Sequence, residues 1–315
     1  MSGEGATGDG TTCEGSIGGG SIGEGSTGEG SAVSSDRSAV SSDRSAVGSD
    51  RINVSFDLDG VLMQNPFLRG IFPHMRRHMR TAERLRGLPP EEADDLVDQA
   101  VREAWSERML AGKFVDAYDW DAIYRDVSEA LGAPPVEDIS ELVARYCREP
   151  GMIELLPGAE EALQELRAAG RGLIAITNGY YAYQLPVLEE LGIAHYFDEV
   201  LTPDRVGFAK PDPRVFELAR SSVHIGDTLL HDVLGPHLAS VTSVWVHARL
   251  PEAIQAIPAR ERTAHPAFHE YLEQVFERMP FRRFHPEADL ENCTPDFAVV
   301  DVLEAVRVIL GESVG

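Results

Sequence analysis

Short apolar runs separated by longer amphipathic stretches recur along the chain from residue 52 onward. The runs have the length of strands and cover residues 52–57, 172–177, 199–201, 223–225, 241–246 and 297–300. Runs of this kind, separated by helical patterns, are typical of strands that are buried on both faces of a parallel sheet. The pattern therefore predicts an α/β protein with a doubly wound, Rossmann-like parallel sheet.

Residues 66–155 interrupt this alternation directly after the first strand. They contain four helical patterns, at about 66–86, 89–110, 120–131 and 136–148, and no strand signal. Glycine and proline separate the four patterns, as expected for helices joined by short turns. The sequence thus predicts an all-helical cap domain over 66–155, inserted into a catalytic core that comprises 52–65 and 156–315.

Two further segments depart from the core pattern. Residues 250–292 are rich in Pro, His and Arg and are expected to form a surface insertion of unassigned role. They follow a strand whose carboxyl end should face the site, so contact with a substrate stays open. Residues 1–51 have low complexity and include a seven-residue repeat, and they bury too little to offset their ordering entropy. A disordered tail is expected there.

Composition excludes some classes of function. The net charge of -24 leaves no basic excess for binding a nucleic acid. Three scattered cysteines show no spacing typical of a metal site, and no apolar run has the length of a bilayer span. We therefore expect a cytoplasmic protein with neither a nucleic-acid nor a membrane partner. The sequence does not predict its oligomeric state.

Polar clusters follow the predicted strands of the core. They are Asp57 with Asp59, Thr177-Asn178, Lys210-Pro211, and Gly226-Asp227 with Asp232. Each cluster alone is also typical of an ordinary turn. The carboxyl ends of parallel strands meet in one crevice, however, so all four clusters are expected to converge. Oxygen ligands and cationic donors together suit a phosphate group and a divalent cation such as Mg²⁺.

These clusters resemble the four motifs of the haloacid dehalogenase superfamily, in its phosphatase type with an inserted helical cap. The first motif reads Asp57-Leu-Asp59-Gly-Val61, the second Thr177-Asn178, the third Lys210 before proline, and the fourth Gly226-Asp227-Thr-Leu-Leu-His-Asp232. The resemblance covers roughly residues 52–246 and 296–310. The segment between Phe216 and Val223 is shorter than usual for the family, which predicts a clipped helix or a displaced strand.

The resemblance implies a role for each carboxylate. Asp57 would be the nucleophile that forms an aspartyl-phosphate, and Asp59 would protonate the leaving oxygen and then activate water. Mg²⁺ would be held by Asp57, the backbone carbonyl of Asp59, and Asp227. Asp232 would support this set through water or through Lys210.

The same resemblance implies that Thr177, Asn178 and Lys210 bind the transferred phosphoryl group. The substrate would be a small phosphorylated metabolite such as a nucleotide or a sugar phosphate. Asn65 and Arg69 lie just after the first motif, so they are the residues expected to contribute to substrate specificity. Both positions are predictions from sequence position alone.

Several members of the superfamily can be weighed against the residues. Dehalogenases lack the second aspartate, and here Asp59 is present. Phosphonatases use a cap lysine, whereas the first cap pattern contains only Arg and His as basic residues. A Mg²⁺-dependent phosphomonoester hydrolase is the preferred function. A sugar phosphomutase and a catalytically silent binding or regulatory homologue remain as alternatives.

Overall fold

The computed structural model describes residues 51–279 and 282–311, so the predicted tail lies outside the described residues except for Arg51. A six-stranded parallel sheet forms its centre. Its strands, with a separate two-residue pair numbered in chain order, are β1 Asn53–Phe56, β2 Met63–Gln64, β3 Glu154–Leu155, β4 Gly172–Ile176, β5 Glu199–Leu201, β6 Ser221–Gly226, β7 Thr242–Val246 and β8 Phe297–Val299. The order across the sheet is β5-β4-β1-β6-β7-β8.

The sheet is doubly wound, as the sequence predicts. β1 pairs with β4 on one side and β6 on the other, so the strand order reverses at this point. Every residue of β4 is buried, in keeping with its continuous run of apolar side chains. Ligands bind in the crevice beside such a reversal, at the carboxyl ends of the strands. The fold therefore brings the ends of β1, β4 and β6 to the edge where a site is expected.

Twelve α-helices lie among the described residues. They are α1 Phe72–Met79, α2 Pro90–Leu110, α3 Trp120–Leu131, α4 Ile139–Tyr146, α5 Ala159–Ala168, α6 Tyr181–Glu190, α7 Pro203–Val206, α8 Pro213–Ala219, α9 Gly235–Leu238, α10 Glu252–Gln255, α11 Pro266–Glu277 and α12 Val302–Leu310. Two π-helical turns lie close to the polar clusters of the core, since Phe67–Ile71 comes after the first motif and Leu230–Leu234 contains Asp232. The described residues contain no helix with the length and apolar character of a membrane span.

Residues 66–155, here called the helical segment, carry α1 to α4. Two short strands lie where the segment joins the core. β2 comes just before the segment and β3 at its end, and the two strands pair antiparallel. Asp119 begins α3 by accepting a hydrogen bond from the backbone of Ala122, and Gly132 ends it with a positive φ of 71°. The predicted boundaries of α3 are those observed.

Residues 250–292, here called the late insertion, have an apolar core of their own. Phe268 and Leu272 of α11 are buried in one cluster with Trp245 of β7 and with Val233 from the π-helical turn that follows β6. Arg262 is 4% exposed, and two of its nitrogens donate to the Glu304 carboxylate at 2.7 and 2.8 Å. The expectation of a surface insertion was thus incomplete, since the segment is packed onto the carboxyl ends of the sheet.

The short connection before β6 clips the helix and leaves the strand in place. α8 ends at Ala219, Arg220 adopts a positive φ of 50°, and β6 begins at the next residue. Its pairing with β1 shifts register between Asn53 and Val54. Of the two outcomes that the sequence left open, the structure has the shorter helix.

Candidate active site

The two carboxylates of the first motif diverge at the end of β1. The backbone N–H of Asp57 still donates to the carbonyl of Ile225 at 2.8 Å, so Asp57 continues the sheet. The chain then turns, and Gly60, with a φ of 79°, donates its N–H to Met63. Asp57 and Asp59 therefore lie in different surroundings although only one residue separates them.

Lys210 lies between two carboxylates. Its ammonium group is 2.9 Å from Asp57 Oδ1 and 2.7 Å from Asp232 Oδ1. Burial disfavours the charged form, but the two carboxylates outweigh it and raise the pKa of Lys210. Burial raises the pKa of Asp57 to about 7, even though the neighbouring Lys210 ammonium lowers it. A compact, permanently charged group thus faces the predicted nucleophile.

Asp232 is fully buried, and both of its oxygens are occupied by hydrogen bonds. Oδ1 accepts from Lys210 and lies 3.0 Å from His224 Nε2, while Oδ2 accepts from the backbone N–H and the hydroxyl of Thr228. Burial disfavours its charged form, and Lys210 and His224 outweigh that cost and lower the pKa of Asp232. This carboxylate is built to hold Lys210, which agrees with the supporting role that the resemblance implies.

The carboxylates also present oxygens that fit a divalent cation. Asp57, Asp227 and Asp232 each offer an oxygen, and the three atoms lie within 4.8 Å of one another. Because Asp232 is already saturated by nitrogen and hydroxyl donors, Asp57 and Asp227 are the better ligands. Trp245 Nε1 donates to the backbone carbonyl of Asp227 at 2.8 Å and fixes that loop. Hard carboxylate oxygens are the ligand type that Mg²⁺ prefers.

Gly226 allows the loop of the fourth motif to approach so closely. A Cβ atom at this position would lie 2.2 Å from the Cβ atom of Asp232. The backbone of Gly226 lies against the side chain of Asp232, so a larger residue at position 226 would displace Asp232.

Asp59 accepts hydrogen bonds on both oxygens. The backbone N–H of Asn65 donates to Oδ1 at 3.1 Å, and the side-chain amide of Gln184 donates to Oδ2 at 3.0 Å. Burial raises the pKa of Asp59 to about 6, although the hydrogen bonds from Gln184 and Asn65 favour its charged form. A carboxyl group with such a pKa can both give and take a proton near neutral pH.

Thr177 and Asn178 follow β4, and their side chains are tied to backbone. Thr177 Oγ1 accepts from the N–H of Gly179 at 3.1 Å. The Asn178 amide accepts from the N–H of Lys210 and donates to the Lys210 carbonyl and the Tyr118 hydroxyl. The Asn178 side chain thus holds the Lys210 loop, whereas the resemblance assigned it to phosphate. Both residues still line the cavity above Asp57.

Aromatic side chains cover this cavity. Its volume is about 90 Å³, and its aromatic lining residues are Phe67, Trp105, Tyr118, Trp120 and Tyr183. All except Tyr183 come from the helical segment. Among the described residues that line it, Lys210 is the sole lysine or arginine. The space above the carboxylates is therefore small, apolar on its upper side and cationic at one point.

Asn65 and Arg69, the two residues expected to contribute to substrate specificity, occupy different surroundings. Asn65 is 5% exposed, lines the cavity and positions Asp59. Arg69 instead donates to Glu154 at 3.0 Å and to the carbonyl of Gly151 at 3.2 Å, and it does not line the cavity. The expected specificity role of Arg69 is corrected to a contact where the helical segment joins the core.

Sequence reasoning missed three residues that act on the site. Gln184 contacts Asp59, Tyr118 contacts Asn178, and His224 contacts Asp232. The Ser55 hydroxyl lies 2.9 Å from His224 Nδ1 and extends this buried chain beneath the carboxylates. The one signal available was His224 itself, a polar residue between the apolar Val223 and Ile225 of β6.

Known proteins resemble this chain in both sequence and fold. The model of the family described as haloacid dehalogenase-like hydrolase matches residues 53–235, and the chain belongs to that family. A phosphoserine phosphatase of Thermus thermophilus is 37% identical over 147 residues, 44% of this chain and 59% of that protein. A glyceraldehyde 3-phosphate phosphatase of Methanothermobacter thermautotrophicus is 36% identical over 110 residues, 32% of this chain and 49% of that protein.

A crystal structure of a phosphatase of this family from Thermococcus onnurineus shares the fold, with a TM-score of 0.55 and 22% identity. The match covers 84% of this chain and 100% of that one. The chain spans about half of the length of the two curated relatives named above. The fold and the family of the chain are thus shown.

Proposed function

We propose that the protein is a Mg²⁺-dependent phosphomonoester hydrolase that acts on a small phosphorylated metabolite through an aspartyl-phosphate. The arrangement of Asp57, Lys210 and Asp59 carries this proposal. A nucleophilic carboxylate lies 2.9 Å from a buried ammonium, and a second carboxyl group with a pKa of about 6 lies two positions further along the chain. Both relatives named above are phosphatases of phosphorylated metabolites, which supports the same class.

The chain's own residues supply each chemical step. An Asp57 oxygen forms a bond to phosphorus while the bond from phosphorus to the leaving oxygen breaks, and Asp59 gives its proton to that oxygen. Asp59, now ionised, takes a proton from water, whose oxygen attacks phosphorus and releases Asp57 and inorganic phosphate. Lys210 stays charged throughout and binds a phosphoryl oxygen. Mg²⁺, when bound by Asp57 and Asp227, would offset repulsion between Asp57 and the phosphate dianion.

The helical segment serves as the cap in this proposal. Its aromatic side chains exclude bulk water from the carboxylates, which strengthens the interactions of Lys210 and Asp59 with the phosphoryl group. Tyr118 connects this cover to Asn178 in the core. A movement of the cap would therefore be transmitted through Tyr118 and Asn178 to the loop that carries Lys210.

A panel of phosphate monoesters with Mg²⁺ tests the proposal. The wild-type protein should release inorganic phosphate from some of them, and Asp57→Asn should lower kcat by about 10³-fold or more, because the amide is not a nucleophile. Asp227→Asn should raise the Mg²⁺ concentration needed for half-maximal rate. Unchanged turnover by Asp57→Asn would refute the proposed function.

A further inference from the structure

The late insertion and the core enclose a second cavity, much larger than the first. Its volume is about 760 Å³. Tyr271, Val275 and Met279 of the late insertion line it, together with Trp245 and His247 from the end of β7. Binding sites for small molecules have volumes of roughly 300–1,000 Å³, so this cavity has the size of a ligand site and the first one does not.

The two cavities meet at the predicted metal ligand. Asp227, Thr228 and His231 line both of them. The larger one is also lined by Gly60, the residue directly after Asp59. A phosphoryl group bound at Asp57 fills much of the 90 Å³ beneath the aromatic cover. A larger organic group attached to it therefore has its space beside Asp227, toward the late insertion.

The wall contributed by the late insertion is fixed in place. His247 stacks on Trp245 with ring centroids 4.4 Å apart, and its Nε2 lies 2.7 Å from the Tyr271 hydroxyl. The same segment is anchored by the buried Arg262–Glu304 pair. The cavity is thus preorganised, which lowers the entropic cost of binding.

The lining of the larger cavity indicates the ligand's chemistry. Most of its residues are aliphatic or aromatic, and Leu229, Val246 and Val302 belong to this group. Two guanidinium groups, Arg249 and Arg278, also line it and are exposed to solvent. The acidic residues that line it are Asp227, which belongs to the metal site, and Asp301.

Asp301 is engaged with its own helix, where its carboxylate accepts from the N–H of Glu304 at 2.8 Å and begins α12. Away from Asp227, the lining carries two guanidinium groups and one carboxylate, so its formal charge is positive. Guanidinium groups recognise carboxylate and phosphate groups well.

We propose that the late insertion forms the binding site for the organic part of the substrate, which has an apolar body and ends in a second anionic group. This inference rests on the proposed function and names the substrate class for the same site. Arg278 binds the terminal anion from the end of α11, with Arg249 beside it. The helical segment covers the phosphoryl group, and the late insertion selects the alcohol.

Matched series of ligands test this inference. One series consists of phosphonate analogues of ω-hydroxy carboxylic acid phosphates of increasing chain length, and the other of alkyl phosphonates of the same lengths. Binding to the wild-type protein with Mg²⁺ is measured by calorimetry, and turnover of the corresponding phosphate esters is measured in parallel. The variants are Arg278→Gln, Arg249→Gln and, as a control, Arg84→Gln, an exposed arginine of the helical segment.

We expect the carboxylate to tighten binding by about tenfold at the best chain length, the gain typical of a charged hydrogen bond that is partly screened by solvent. Arg278→Gln should remove most of that gain and Arg249→Gln part of it, while Arg84→Gln should preserve it. KM for the esters should follow the same order.

Equal binding of the two series by the wild-type protein would overturn the inference. An equal loss in Arg84→Gln and Arg278→Gln would also overturn it, because the effect would then be one of overall charge. Absence of turnover with every ester would refute the proposed function instead. The calorimetric comparison would still decide whether the larger cavity binds the anionic group.

Discussion

The two segments that border the carboxylates differ in how they use charge and space. The helical segment presents aromatic side chains to a cavity of about 90 Å³, and several of its arginines pair with its own carboxylates. Arg76 donates to Asp98 at 2.7 Å, and Arg80 donates to Asp94 at 2.7 Å. The late insertion lines about 760 Å³ and includes Arg278, for which the described residues show no ion pair.

A high content of arginine therefore does not identify the surface that binds an anion. Arg76 and Arg80 of the helical segment each form a bidentate pair with an aspartate, although the contribution of such pairs to stability at the surface is small. In the proposed function, the segment that follows the first motif covers the phosphoryl group. The late insertion would offer the volume for the remainder of the substrate.

Lys210 is the buried cation between Asp57 and Asp232, and its removal should have the largest effect on stability and activity. Lys210→Ala leaves two buried carboxylates without their partner, so the free energy of unfolding should fall by about 3 kcal/mol or more. kcat should fall by at least about 10²-fold, because one stabilising charge at the phosphoryl group is lost. Urea unfolding and steady-state kinetics measure the two effects.

Lys113, the other lysine of the chain, is exposed and provides the control. Lys113→Ala should change the free energy of unfolding by less than about 0.5 kcal/mol. Equal losses of stability in both lysine variants would show that the buried ammonium of Lys210 does not stabilise the two carboxylates beside it.

Gln184 tests the side of the site that contacts Asp59. Gln184→Met keeps the volume and removes the 3.0 Å hydrogen bond to Asp59, so kcat/KM should fall by about tenfold. Gln164→Met, on the exposed face of α5, is the control and should retain the wild-type value. An unchanged kcat/KM in Gln184→Met would show that the hydrogen bond from α6 is not required to orient Asp59.

The aromatic cover should set an upper limit on the size of the group next to the phosphate. Trp120→Ala should raise kcat/KM for a bulky aryl phosphate relative to a small one by a few-fold, since removal of an indole enlarges the cavity (an effect of about 1 kcal/mol). The ratio of the two kcat/KM values is measured in parallel with Leu110→Ala, whose side chain is 76% exposed. A ratio that stays constant in Trp120→Ala would assign size selection to another wall.

The wall of the larger cavity should give the smallest and most specific effect, on the pH dependence of stability. Burial lowers the pKa of His247 from 6.5 to about 4, so the folded protein binds fewer protons than the unfolded chain between these values. Stability from this group is complete above pH 6.5 and is lost as the pH falls toward 4, with a slope of up to about 1.4 kcal/mol per pH unit.

His247→Gln should flatten that part of the pH profile. Thermal or urea unfolding between pH 4 and pH 7 provides the measurement. His195, which lies in an exposed turn, supplies the matched variant His195→Gln, and its profile should follow that of the wild-type protein. Identical profiles for all three proteins would show that the ring of His247 is accessible to protons in the folded state.

The alternation of apolar runs was sufficient to predict the sheet. β5 and α3 have the predicted boundaries, and the caps of α3, Asp119 and Gly132, are strong local signals. The four motifs predicted convergence correctly, since parallel strands end at one edge. Lys210 and Asp57 are 153 positions apart in the chain, and their groups lie 2.9 Å apart.

Side-chain destinations were harder to predict. Arg69 is adjacent to the first motif in sequence, but the π-helical turn directs it toward Glu154. Asn178 occupies a motif position, yet its side-chain amide forms hydrogen bonds with the backbone of Lys210. Gln184 lies on α6, and nothing in the sequence indicates that its amide reaches Asp59. These contacts depend on how segments distant in sequence pack against each other.

Rapid acid quench of the Mg²⁺-loaded protein with a turned-over ester, followed by peptide mass spectrometry, tests the central claim most directly. We expect a transient phosphoryl group on the peptide that contains Asp57 and, in ¹⁸O-labelled water, the label in released phosphate and not in Asp57. Turnover without any phosphorylated peptide, or a label in the carboxylate of Asp57, would contradict the aspartyl-phosphate route.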